Sequence, residues 1–161
     1  MLIRPALPSD AAAADEIYRA AKKFMKENGN PNQWPGDYPS GRDLIDGIGH
    51  GSSYVVEDGG EVVGVFQFEI GEEPTYKRIY DGEWLSDEPY AFIHRIAVKY
   101  HGRGIVDYCF SECFKKFPNI RIDTHEDNLP MQRVLLRSGF IRCGVIYLES
   151  GDARIAYQKI T

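Results

Sequence analysis

Ala91 to Gly104 reads AFIHRIAVKYHGRG, an apolar run followed by a short basic segment and two glycines. Apolar residues at helical spacing begin immediately afterwards with Ile105 and Val106. The pattern predicts a strand over Ala91 to Val98 that turns through His101-Gly102-Arg103-Gly104 into a helix. Such a junction favours an anion. The first turn of a helix leaves N–H groups unpaired, the helix dipole is positive there, and glycine lets a phosphate approach the main chain.

Working outward, Ile105, Val106, Cys109, Phe110, Cys113, Phe114 and Phe117 form one apolar helix side that ends at Pro118. Ile120 and Ile122 then alternate with charged residues, which predicts a strand over Asn119 to Thr124. Strand, long helical connection and strand imply a parallel pair with a right-handed crossover. Asp127 or Asn128 can cap a further helix containing Pro130, Met131, Val134 and Leu135, with Gly139 as its stop. Phe140 to Leu148 and Arg154 to Ile160 are expected to close the chain as an antiparallel hairpin.

Toward the N-terminus, Leu2 to Arg4 reads as a first strand. A helix is expected from a Ser9 or Asp10 cap to about Asn28, and a short one over Arg42 to Ile48. Between these helices, Asn30 to Gly41 is a loop in which Trp34 and Tyr38 either shape a pocket or plug the core. Ser52 to Glu57 and Glu61 to Ile70, joined through Asp58-Gly59-Gly60, form a hairpin. Gly71 to Pro89 has no sustained period and is read as a long loop of the kind that borders a site. Its carboxylates, Glu72, Glu73, Asp81, Glu83, Asp87 and Glu88, suit either solvent or a cationic ligand.

Composition narrows the function classes. A chain of 161 residues with 43% hydrophobic and 27% charged residues fits one soluble domain, residues 1–161, with its own core. The net charge of −5 argues against nonspecific nucleic-acid binding. No apolar run reaches membrane length and no signal core is present, so a cytoplasmic protein with no membrane partner is expected. Cys109, Cys113 and Cys143 lack the spacing of a metal site and read as buried free thiols. No metal is expected.

Two familiar phosphate loops do not fit. The ATP-type loop needs Lys and Ser or Thr where this chain has Ile105-Val106. The dinucleotide fingerprint places a third glycine where Asp107 stands. The strand, His101-Gly102-Arg103-Gly104-Ile105-Val106, the next strand, and Asn128-Leu129-Pro130-Met131 leading to Gly139-Phe140 together resemble the GNAT superfamily of N-acetyltransferases. That family's loop has the form Arg/Gln-x-x-Gly-x-Gly/Ala, and its later helix reads Asn-x-x-Ala-x-x-x-Tyr before Gly-Phe. The resemblance extends from Ile3 to Ile160 in the order of elements.

It implies an α/β fold of the α+β type: a mixed, mostly antiparallel central sheet with a parallel strand pair at the cofactor site, flanked by about four helices. It further implies acetyl-CoA as cosubstrate, transfer of its acetyl group to a primary amine of a small molecule or peptide, and a homodimer as a common assembly. Main-chain groups of Ile96, Ala97 and Val98 would hold the pantetheine arm. The amides of His101, Gly102, Arg103, Gly104, Ile105 and Val106 would hold the pyrophosphate. Asn128 matches a residue that contacts the cofactor arm, though it can equally be a bare helix cap. Three positions depart from the pattern: His101 and Val106 in the loop, and Leu135 where the family carries a thiolate-protonating tyrosine.

An ammonium must lose a proton before it attacks a thioester, so a base is required. Strand alternation places Phe92, His94, Ile96 and Val98 on one face and Ile93, Arg95 and Ala97 on the other. His94 is the candidate base, similar in position to a strand histidine of arylalkylamine N-acetyltransferases; a satisfied core histidine is the other reading. Tyr147 and Cys143 are the nearest candidates for the acid. His125 and Glu126 are expected to touch substrate with Trp34 and Tyr38. A noncatalytic acyl-CoA-binding or sensing module is the competing class.

Overall fold

The computed structural model describes residues 1–161 and contains one seven-stranded sheet in the order β1-β2-β3-β4-β5-β7-β6. The strands are β1 (Leu2–Pro5), β2 (Ser53–Asp58), β3 (Glu61–Ile70), β4 (Ala91–Val98), β5 (Asn119–Thr124), β6 (Ile141–Tyr147) and β7 (Ala153–Ile160). The helices are α1 (Ala11–Glu27), α2 (Gly41–Gly49), α3 (Ile105–Lys116) and α4 (Leu129–Arg137). Every neighbouring pair is antiparallel except β4 with β5. The expected mixed sheet with one parallel pair and four helices is therefore present.

One face of the sheet packs on α3 and α4 through Ile105, Cys109, Phe110, Cys113 and Leu135, against Phe66, Phe68, Ile93, Ile120 and Tyr157. The other packs Ala14, Ile17, Tyr18 and Ala21 of α1 and Leu44 of α2 onto Val55, Val65 and Ala97. All three cysteines are buried free thiols. Burial raises each thiol's pKa, that of Cys113 to about 12.

Two local expectations are corrected. Asp10 does not cap α1; a 3-10 turn over Pro8–Asp10 precedes the helix, and the Asp10 carboxylate takes Arg4 at 2.8 and 2.9 Å and the Leu7 amide at 2.8 Å. The nearby arginine outcompetes the helix amides. The segment after β3 is also less irregular than its sequence suggests. A 3-10 turn spans Pro74–Tyr76, Tyr80 exchanges backbone hydrogen bonds with Val145 of β6, and the Trp84 indole donates to the Tyr76 carbonyl at 3.0 Å. Gly82 lies so close to β6 that a Cβ there would stand 1.9 Å from the Cys143 carbonyl oxygen. The segment is pinned against β6, and Glu73 itself is held where its amide donates to the Tyr90 hydroxyl at 2.9 Å.

The parallel pair is short. Only Ala91 with Ile120 and Phe92 with Arg121 are in register. Beyond them the strands part, and residues 93–96 of β4 and 122–124 of β5 line a cavity between them.

Candidate functional site

The divergence of the two strands coincides with a defect in β4. Val65 pairs with Ala97 while Gln67 pairs with His94, so one residue of β3 faces Arg95 and Ile96 together. Arg95 is the extra residue, with φ of 54°, a conformation that costs a side-chain-bearing residue about 1 to 2 kcal/mol. Its guanidinium is held by Gln67 Oε1 and faces Asp43 Oδ1 at 3.4 Å. The bulge overturns the alternation expected from the sequence. Ile93 and Val98, five residues apart, pack in the same core with Ile96 against it, whereas Ala97 belongs to the opposite core. His94 therefore shares the face of Ala97 and not that of Ile96 and Val98.

On that face His94 meets two carboxylates. Its Nε2 lies 3.1 Å from Glu73 Oε2, and its Nδ1 lies 3.9 Å from Asp123 Oδ2. The Tyr76 hydroxyl donates to the same Asp123 oxygen at 2.6 Å. Burial would raise the Glu73 carboxyl, but the hydrogen bond from His94 and those from the Thr75 amide and hydroxyl outweigh it and hold the pKa at about 2. Tyr76 is driven the other way, well above the ordinary phenol range, by complete burial and by the Asp123 charge. It holds its proton and orients Asp123.

Glu73 links the site to acid stability. Its pKa in the fold is about 2 against an ordinary 4.5, so its contribution is complete above about pH 4.5 and is lost as pH falls toward 2. Urea unfolding of the wild type and Glu73→Gln is expected to show a wild-type advantage on the order of 1 to 2 kcal/mol at pH 7. The gap should narrow steadily below pH 4.5. A gap independent of pH would mean that the charge contributes nothing.

The cavity between the strands measures about 180 Å³ and is lined by His94, Glu73 and Asp123 together with Arg95, Arg154, Thr124, Trp34 and Tyr38. A second cavity of about 100 Å³ lies between α1, β4, α3 and α4 and is lined by Ile96, Ala97, Val98, His101, Val106 and Asn128 among others. Met25, Ile96, Asn128 and Met131 border both, so the two adjoin. The smaller one contains much of the expected pantetheine path.

At its end, α3 starts from Gly104 with no side chain capping it. Gly102 and Gly104 have φ of 75° and 71°, and open space lies where a Cβ would be. An uncapped helix start behind two left-handed glycines can receive an anion on its amides. Asp107, in the first turn, is neutralised by Arg137 of α4 at 2.9 and 3.0 Å. His101 stacks on Phe24 with ring centroids 3.8 Å apart, and burial lowers its pKa. Arg103 is exposed and stacks on Tyr100 at 4.1 Å, while Ile105 is buried in the core.

This architecture has known counterparts. The sequence model of the acetyltransferase (GNAT) family matches residues 14–140. The chain belongs to the GNAT family. No curated protein matches it by sequence. Among solved structures, a GNAT-family acetyltransferase from Streptococcus agalactiae is 32% identical, with a TM-score of 0.91 over 99% of this chain and 95% of that one. A GNAT-family acetyltransferase from Listeria monocytogenes is 21% identical, with a TM-score of 0.72 over 99% and 94%. GphF, a GNAT-like decarboxylase in complex with isobutyryl-CoA, is 14% identical with a TM-score of 0.69 over 99% of both chains. No helix of the chain is long and apolar enough to cross a membrane, and no group of His, Cys, Asp and Glu could hold a metal ion.

Several candidate residues of this GNAT chain lie away from the cavities. Tyr147 is exposed and packs edge-on against Tyr80. Cys143 donates its thiol hydrogen to the Ile141 carbonyl at 3.3 Å. Tyr38 is the phenol that lines the larger cavity. His125 and Glu126 form the turn before α4, where the His125 ring accepts from the Asp127 amide and Gln132 donates to both carbonyls. Asn128 caps α4 by accepting from the Met131 amide at 3.2 Å and donates to Gln33 Oε1 at 2.9 Å. Sequence patterns do not single out Gln33, Asp123, Arg95 or Arg154, nor Glu73 as a histidine partner; the one available signal is the place of Asp123 at the open end of the strand parallel to β4.

Leu135, at the position of the family tyrosine, is completely buried in the α3–α4 core and does not line either cavity. Leu135→Tyr is expected to overpack that core and to destabilise by about 1 to 3 kcal/mol in denaturant titration. It should bring no gain in turnover.

Proposed function

We propose that the protein transfers an acyl group, acetyl from acetyl-CoA in the first instance, to an amine, with His94 as general base. The observation that carries this reading is the junction of the two cavities. A groove leading from an uncapped helix start meets, at Ile96, Asn128 and Met131, a cavity holding a histidine between two carboxylates.

When bound, acetyl-CoA supplies an activated thioester carbonyl. The amides at the start of α3, around Gly102 to Val106, bind its pyrophosphate, and the unpaired edge of β4 at Ile96 to Val98 takes the pantetheine arm. Both assignments fit an open helix N-terminus and a strand edge that β5 has left. The Glu73 carboxylate engages His94 Nε2, which leaves Nδ1, the nitrogen facing Asp123, as the one that takes the acceptor's proton. The 3.9 Å gap between Nδ1 and Asp123 Oδ2 is too long for a direct hydrogen bond and leaves a place for an amine nitrogen to contact both. Asp123 then attracts the ammonium, and His94 removes its proton. Glu73 holds the ring and stabilises the imidazolium that results. As the new C–N bond forms and the C–S bond breaks, the thiolate that leaves would take a proton from Tyr38 or solvent.

The test is release of free thiol from acetyl-CoA across polyamines, amino acids, aminoglycosides and peptide N-termini. Release that depends on an acceptor supports transfer. Tight acetyl-CoA binding with no acceptor-dependent release would favour a binding or sensing module instead.

A further inference from the structure

Two arginines of this chain are buried, and they are treated differently. Arg121 lies between the rings of Trp84 and Tyr90, at 4.1 and 4.0 Å, and donates to the Ser86 carbonyl. Its charge meets two π faces. Arg154, 5% exposed on β7, has neither an aromatic face nor a carboxylate within 4 Å. It makes two hydrogen bonds, both to neutral carbonyls: Nη1 to Ala153 at 2.9 Å and Nη2 to Gln33 at 3.0 Å. A guanidinium has five donors, and burying its charge without a counterion is costly.

The cavity supplies the direction in which that charge is satisfied. Arg154 lines the same space of about 180 Å³ as Glu73, His94 and Asp123. Thr124 also lines it, 1% exposed, and its Oγ1 has no hydrogen-bond partner. Thr124 pairs with Ile155 and so presents its side chain to the α3–α4 face, whereas Arg154, the residue before Ile155, shares the opposite face with Ala156 and its partner Asp123. Arg95, the other arginine in the cavity, already faces Asp43. Asp123 pairs with Ala156, two residues from Arg154, so the space holds carboxylates suited to an ammonium and, on the same face, a cation with no carboxylate within 4 Å.

We infer that the acceptor carries a carboxylate as well as its amine, and that Arg154 binds that carboxylate: the substrate class is a free amino acid. The placement of the amine at His94 and Asp123 rests on the acyl-transfer reading above; the carboxylate site rests on Arg154 alone. The cavity, small beside the roughly 300–1,000 Å³ of typical ligand pockets, suits a molecule of amino-acid size better than a folded protein's tail.

The experiment is calorimetry on the CoA-saturated protein with the common L-amino acids, each paired with its amide, alongside thiol release from acetyl-CoA with the same pairs. At least one amino acid should bind tenfold or more tightly than its amide. Arg154→Gln should abolish that preference, Arg154→Lys should keep part of it, and acetyl-CoA affinity should stay unchanged in both. Should Arg154→Gln fail to fold, the wild-type comparison of acid with amide decides alone. Amides binding as tightly as acids, or no amino acid binding at all, would overturn the inference. Preferred binding of acids without thiol release would leave the carboxylate site standing and remove the transfer reaction. Thiol release with amides or simple amines as fast as with amino acids would do the reverse.

Discussion

His94→Ala is expected to lower kcat by about 10² to 10⁴, the usual contribution of a positioned general base, while leaving acetyl-CoA affinity unchanged. The split follows from geometry. His94 lines the larger cavity, with Nε2 on Glu73 and Nδ1 toward Asp123, and does not line the groove leading to the helix start. The residual rate should rise with pH, because an acceptor that has lost its own proton in solution no longer needs the imidazole. Steady-state rates from pH 6 to 10, with acetyl-CoA binding followed by calorimetry, check both halves. An unchanged kcat would remove His94 from the reaction, and lost cofactor affinity with normal kcat would make it a packing residue.

The second large effect is expected at the other end of the groove. Gly104 is the N-cap residue before α3, with φ of 71°, and a β-branched residue is a strong outlier there. Nothing crowds the position, so Gly104→Val leaves the core intact and forces its strain into the loop that presents the helix amides. That strain is about 1 to 2 kcal/mol or more. The dissociation constant for acetyl-CoA should rise about tenfold or more. Gly151→Val is the control: its φ is 90°, it is equally uncrowded, and it lies in the β6–β7 turn. It should lower stability comparably with no change in affinity. Equal affinities in the wild type and Gly104→Val would exclude the α3 start as the anion site.

Much of the fold was legible because its signals are local. β3 and β4 have the bounds that their apolar runs and flanking turn residues indicate, and α3 ends at Lys116, two residues before Pro118. Leu135 shows where a motif stops being informative. The motif position is kept, but a completely buried aliphatic side chain there belongs to the core.

The site was less legible, for a physical reason. Period-2 alternation assumes a regular strand, and the bulge at Arg95 moves Ile96 and Val98 to the face opposite His94 without any glycine or proline to announce it. Glu73 is one carboxylate among six in its segment, and what selects it as the partner of His94 is a contact from 17 residues away, its amide on the Tyr90 hydroxyl. Arg154 looked like any charged residue of a terminal strand. It is buried, and its Nη2 donates to the carbonyl of Gln33 in a loop 121 residues away, a contact that no local pattern encodes.

The central claim is that the groove from α3 and the His94 cavity are one continuous site. A crystal structure of the protein with acetyl-CoA tests it most directly. The account predicts the pyrophosphate on the amides of Gly102 to Val106, the pantetheine along Ile96 to Val98, and the thioester where Ile96, Asn128 and Met131 border both cavities, facing His94. A cofactor bound elsewhere, or a thioester directed away from His94 and Asp123, would contradict it.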